Sequence, residues 1–360
     1  MLHRYTVFFV ASSLPLLFAS QVAPNMAREL DFWLLWFVAM VLVGLPVLFA
    51  EFALSARSAA TPWQGMQKLT READASLVWR IFAVLSVLVA ILIASSISAR
   101  IAVGAVSQFP DVFRTVNVPT LGLAAGVSVI ALILSLLKAR LLPVGMLLIL
   151  AGSVAALFDS SVSVPVLTAP SLGEWAQAVV LALLCVGVGS GLYWFGGVSI
   201  APSLMQVKKS LTGYILPIWL TQLIFGAFAL LAGNALVGQL SFVMTSLGML
   251  LIAAFLLYYA GMQLMARFGM IIGAAVTLVL CMVLSIVPVQ ALLMALIVLS
   301  LVAVLSLAIF SGFVMKISHL RKTLNFGSEL RYNLWRVLVR IIVPIAIIVA
   351  FVGLVMQWLI

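Results

Sequence analysis

Residues 33–53 read WLLWFVAMVLVGLPVLFAEFA, a stretch in which Glu51 is the only charge. An apolar run of this length spans about 30 Å of hydrocarbon as a helix. A carboxylate inside such a run costs about 2.5–3.5 kcal/mol on insertion scales. Two readings of Glu51 follow. It faces a bundle interior, where hydrogen-bond donors compensate its burial, or it lies near the cytoplasmic helix end and snorkels to the headgroups. Both make the chain an integral membrane protein.

Composition points the same way. Hydrophobic residues form 66% of the 360-residue chain and charged residues 8%, with a mean hydropathy of +1.33. Soluble domains carry about 25% charged residues, so this composition cannot build a water-facing surface. A formal charge of +10 would suggest nucleic acid in a soluble protein. Here the basic residues sit in short connections between apolar runs, where they report topology and imply no nucleic-acid partner. There is no Gly-rich phosphate loop, no HExxH and no Cys/His cluster. Cys185 and Cys281 fall inside apolar segments, and His3 and His319 fall in polar flanks. The expectation is therefore no metal, no cofactor, no disulfide and no enzymatic centre.

Runs long enough to cross a bilayer occur at roughly 5–24, 32–53, 81–103, 118–137, 141–158, 175–200, 213–233, 241–265, 269–287, 290–314 and 334–358. That makes about eleven transmembrane helices in an all-α protein, the division within 241–287 being the least marked. The first run, behind Arg4, is long for a signal peptide and is read as the first span. With the N-terminus inside, sixteen Lys and Arg fall on the cytoplasmic side: Arg4 and those within 57–80, 138–140, 208–209, 267 and 316–340. Arg28, Arg100 and Arg114 fall outside. This bias predicts a multi-pass protein of the cell's inner (plasma) membrane with a cytoplasmic N-terminus and an external C-terminus. The outer loops are too short for an extracellular domain, and 316–333 holds a short amphipathic piece.

Two spans carry interruptions. The first contains Ser12, Ser13 and Pro15; proline removes a backbone donor and crowds the preceding turn, and serines can satisfy freed backbone groups. The sixth contains Gly187, Gly189, Ser190 and Gly191, with five glycines in the eleven residues 187–197. Each glycine costs a helix about 1 kcal/mol relative to alanine. Small residues also let membrane helices pack closely, so either interruption alone is ordinary. Placed at matching points of two five-span halves, they suit a transporter built from inverted repeats, whose site forms where two broken helices meet. The expectation is unwinding near residues 12–15 and 187–191.

Several stretches resemble one family. Val43-Gly44-Leu45-Pro46-Val47-Leu48-Phe49-Ala50-Glu51-Phe52-Ala53-Leu54 is similar to a second-span signature GxPLxxxExALG, with Ser55 where Gly is usual. Leu141-Leu142-Pro143 resembles a Met-Pro opening of the fifth span. Trp175-Ala176-Gln177-Ala178 followed by Gly187-Val188-Gly189 is similar to a sixth-span pattern. Leu320-Arg321-Lys322-Thr323-Leu324-Asn325-Phe326-Gly327-Ser328 resembles a loop LxxELNxGS, and Arg340 to Pro344 resembles the RxxxP start of the last span. Together, and in this order, they resemble the neurotransmitter:sodium symporter family of LeuT-type fold. The resemblance implies a 5+5 inverted repeat plus one C-terminal helix: residues 1–158, residues 159–315, then a cytoplasmic loop and terminal span at 316–360.

The departures concern ions. An ungapped alignment from Glu51 puts Leu16 where the family has a sodium-ligating Asn and Ala19 where it has a gate Arg. The tyrosine pair near the substrate falls on Ala94 and Ser95, a sodium-ligating hydroxyl on Leu183, a serine on Cys185, and the second sodium site's Thr-Ser pair on Leu256 and Leu257. Leucine supplies no oxygen ligand, so sodium coupling is in question. The resemblance then implies a substrate pathway lined by Ser12, Ser13, Ser95, Gly187, Gly189 and Ser190. Glu51 and Cys185 would support the break or carry a proton, with Pro15 and Gly191 marking the breaks. Two functions remain open on sequence. One is a secondary transporter moving a small solute such as an amino acid. The other is a LeuT-type scaffold that no longer transports and serves a membrane protein partner.

Overall fold

A computed structural model describes residues 2–23, 29–116, 119–159, 166–187, 189–194, 198, 210–233 and 238–359. Eight of its helices are long and apolar enough to cross a membrane, and three shorter apolar helices complete the set. In chain order they are α1 (Leu2–Val22), α2 (Leu30–Ser58), α3 (Ile81–Gln108), α4 (Thr120–Ser135), α5 (Leu142–Asp159) and α6 (Leu172–Val186). Then follow α7 (Thr212–Ala232), α8 (Gln239–Phe268), α9 (Met270–Ser285), α10 (Val289–Val314) and α11 (Glu329–Leu359). The 241–287 stretch divides at Gly269, whose φ of +86° ends α8 and begins α9. Short helices at Pro62–Glu72 and Ile317–Leu324 occupy two of the connections; the second is the amphipathic piece expected after α10.

Packing between spans comes in matched pairs. α1 packs on α7 as α6 packs on α2, and α5 on α8 as α10 on α3. α3 meets α4 as α8 meets α9, and α3 meets α9 as α8 meets α4. Shifting every helix number by five maps one set of contacts onto the other. α11 stands outside this correspondence and lies against α6.

Two features differ from the sequence expectation. α1 is continuous through Ser12 and Ser13 and carries Pro15 inside it, so there is no first-helix break. Proline withholds one hydrogen bond, and the surrounding turns are buried against α5, α6 and α7. The Ser12 hydroxyl donates to Phe8 O at 2.8 Å and that of Ser13 to Phe9 O, so both serve their own helix. The second difference is Arg100. α3 extends to Gln108, which puts Arg100 two turns inside the helix end instead of in an outer connection. There it donates to Leu17 O of α1 at 3.2 Å.

α2 is tied to its neighbours through its own backbone. A single π-helical turn at Met40–Gly44 interrupts it, and such turns release carbonyls from the regular ladder. The Trp219 indole of α7 donates to Met40 O at 3.1 Å, and the Trp335 indole of α11 to Pro46 O at 3.0 Å. This fixes the helix that carries Glu51.

Candidate functional site

Several buried polar side chains converge on the end of α6. Val186 is its last residue, and Gly187 caps it with φ +68°, its N–H bonded to Leu183 O at 2.8 Å. Gly189 and Gly191 follow at φ +95° and +67°, the left-handed region that only glycine enters cheaply. A Cβ at Gly187 would collide with the Leu14 side chain, and one at Gly191 would lie 2.8 Å from the Tyr259 hydroxyl. The glycines are thus required by both conformation and space.

A helix that stops in hydrocarbon exposes amides and carbonyls, each costing several kcal/mol if unpaired. Three helices supply partners. Gln222 of α7 donates Nε2 to Val186 O at 3.2 Å and to Tyr193 Oη at 2.6 Å. Tyr259 of α8 donates its hydroxyl to Gly191 O at 2.6 Å. Glu51 of α2 accepts from the Tyr193 amide at 3.2 Å, and the Gly189 amide lies close to the same carboxylate. Ser190 closes the turn by donating to Gly187 O. Tyr193 also packs on Phe52, and Trp194 on Phe82, with ring centroids 5.9 and 5.7 Å apart.

Glu51 is 0% exposed, so it lies in the bundle and does not snorkel. The structure brings Glu51, Gly187, Gly189, Ser190 and Gly191 together. Ser12, Ser13 and Pro15 stay within continuous α1. Ser95 is elsewhere: Ser86 of α3 touches the Gly191 position, and nine residues on at 100° per residue is the opposite face. There Ser95 lies with Ser128 of α4 beside the Cys281 thiol of α9. Cys185 lies by the Trp36 indole of α2 and near Tyr193, whose amide Glu51 accepts. Leu16, Leu183, Leu256 and Leu257 are all buried within the hydrophobic core. None of Ser12, Ser13, Glu51, Ser95, Ser190 and Gln222 exceeds 3% exposure, so the centre is closed to water in this conformation.

Sequence reasoning missed Tyr259 and the contact of Arg100 with α1. A tyrosine pair at 258–259 in the middle of a thirty-residue apolar helix was the available signal, since a buried phenol seeks a partner. Also unforeseen is a carboxylate trio, Glu29, Asp31 and Glu174, whose oxygens lie within 4.8 Å of one another. Glu174 forms a capping box with Ser171, and Asp31 accepts from Thr168 N and Oγ1 at 3.1 and 2.8 Å. Two of the three thus hold local backbone. The remainder of the sixth span, from Phe195 through Gly196 and Gly197, lies outside the described residues apart from Val198.

No protein-family model matches the sequence, and no curated protein does. Among solved structures, the crystal structure of MhsT in complex with L-phenylalanine aligns with a TM-score of 0.71 at 16% identity, over 97% of this chain and 98% of that one. The chain has a LeuT-type fold. In a LeuT-type arrangement the paired contacts between spans 1–5 and 6–10 are those of its two repeats. The glycine break then falls at the repeat interface, where α1 and α6 pack together.

Proposed function

We propose that the protein is a secondary transporter of LeuT type that moves a small solute of amino-acid size by alternating access at the α6 break. The observation that carries this is the break itself: a helix stopped inside the bundle and held by Glu51, Gln222 and Tyr259 from three different spans. Freed backbone at such a point is where broken-helix transporters bind charged solute groups. Gly187, Gly189 and Ser190 would contact the solute, and Glu51 would hold the break or carry a proton. The family resemblance sets leucines at the sodium-ligand positions, so coupling runs through protons at Glu51 or through no ion. The repeats run 1–158 and 159–315, with 316–360 a cytoplasmic loop and last span. The N-terminus is cytoplasmic and the C-terminus external in the inner membrane.

A second reading has its own observation. α1 is unbroken, and the polar side chains at the centre are closed to water, with Glu51, Gln222 and Tyr259 engaging the chain's own backbone at the α6 end. That favours a scaffold that has stopped transporting and serves a membrane partner. Proteoliposomes loaded with labelled L-phenylalanine and other amino acids, under sodium, proton or no gradient, separate the two. Saturable uptake or exchange without sodium supports the transporter. No flux under any gradient, with a stoichiometric protein co-purifying from native membrane, supports the scaffold.

A further inference from the structure

An open cleft of about 950 Å3 lies between the end of α10, the helix Ile317–Leu324 and Arg340 of α11. Lys316, Arg321, Lys322 and Arg340 line it, no carboxylate among the described residues does, and Phe313 and Ile317 form an apolar edge. Phe313 and Ile317 are 57% and 41% exposed. Two of the cations have carboxylates nearby: Lys316 is 3.1 Å from Asp74, and Arg321 pairs with Glu329. Both carboxylates are largely exposed, and such pairs are weak and exchange readily. The Arg340 guanidinium sits 5.1 Å from the Phe313 ring centroid and gives Nε to Gly312 O. Its two terminal nitrogens, and the Lys322 ammonium, have no partner among the described residues. The helix Ile317–Leu324 also starts at this cleft without a side-chain cap, so its first amides face the same space.

We propose that this cleft binds the phosphate of an anionic phospholipid, with its acyl chains running beside Phe313 and Ile317. Arginine forks and ammonium groups around one space match a phosphate. A free phosphate would use the cations equally well but has no use for two exposed apolar side chains beside them. Basic pockets between the ends of membrane helices suit anionic headgroups. This assignment stands whether or not the chain transports.

The test uses the purified full chain in neutral detergent, with lipid binding read by native mass spectrometry and thermal melting. The probes are phosphatidylglycerol, phosphatidylcholine of the same chains, and inorganic phosphate. The expected result is retention of phosphatidylglycerol over phosphatidylcholine, weakened about tenfold by Lys316→Gln with Lys322→Gln. Both lysines are exposed, so that variant folds. Lys138→Gln with Arg140→Gln removes as much charge elsewhere and should leave binding unchanged. Equal loss in both double variants, or no preference for phosphatidylglycerol, overturns the site. Displacement of phosphatidylglycerol by millimolar inorganic phosphate, with the same stabilisation, overturns the lipid and assigns the cleft to free phosphate.

Discussion

Glu51 accepts from the Tyr193 amide inside the bundle, and this pairing determines what its substitutions should do. Glu51→Gln keeps an acceptor oxygen and should fold and melt near the parent. Glu51→Leu leaves buried donors unpaired, at about 1–3 kcal/mol each, and should melt clearly lower. Parent-like melting of both would remove Glu51 from the support of the break. Gly187→Ala meets two obstacles, a φ of +68° and the Leu14 side chain, and should cost about 1–3 kcal/mol. Gly327→Ala, which meets nothing within 4 Å, is the matched control and should be silent. At the other end of the bundle, partial burial raises the Glu29 pKa above its ordinary value, helped by the charges of Glu174 and then Asp31. The folded state therefore holds that proton more tightly than the unfolded chain. Its stabilising share is full below the ordinary carboxylate pKa and is lost as pH rises through the raised one. Glu29→Gln should melt progressively higher relative to the parent as pH rises above the ordinary carboxylate range. A difference that stays constant with pH would show that the trio does not repel.

At the scale of the element, α1 and α6 show how far a sequence discloses a helix break. Three glycines at positive φ reverse the backbone and end α6 within a few residues, and their density at 187–191 was visible in the chain. Pro15 carries the same expectation and behaves differently. One missing N–H leaves a helix intact when neighbouring turns are packed and their serines bond within the helix. What decides between the two is whether other helices offer groups to the freed backbone. Gln222, Tyr259 and Glu51 do so at α6, and a linear sequence does not show which faces they occupy. Ser95 illustrates the same gap: its alignment position was plausible, but its face on α3 points to Ser128 and Cys281. The spans themselves, the division at Gly269 and the amphipathic helix after α10 were legible because they follow from apolar length and turn residues alone. Since α1 is already helical across Pro15, Pro15→Ala restores a donor and should raise the melting temperature or leave it unchanged. A marked fall would mean that the kink at proline is needed for packing.

For the whole molecule, the fold is of LeuT type, and the four leucines that the family resemblance sets at ion positions are apolar side chains of its core. Leu16 in α1, Leu183 in α6 and Leu256 and Leu257 in α8 belong to the continuous buried core, where they add packing in place of coordination. Each buried leucine is worth about 1.5–3 kcal/mol of transfer free energy. Four of them in the core therefore stabilise the bundle without any ion. A ligand that binds only the folded state stabilises it by an amount that grows with the logarithm of concentration over Kd. Sodium should give no such term. Melting curves of the purified protein in sodium, potassium and choline chloride at equal ionic strength are expected to coincide. A sodium-specific rise that saturates with concentration would show that backbone carbonyls at the α6 break, or residues beyond those described, still assemble a cation site. In that case the leucine positions would mark a shifted site, and the uptake experiment should be driven by a sodium gradient.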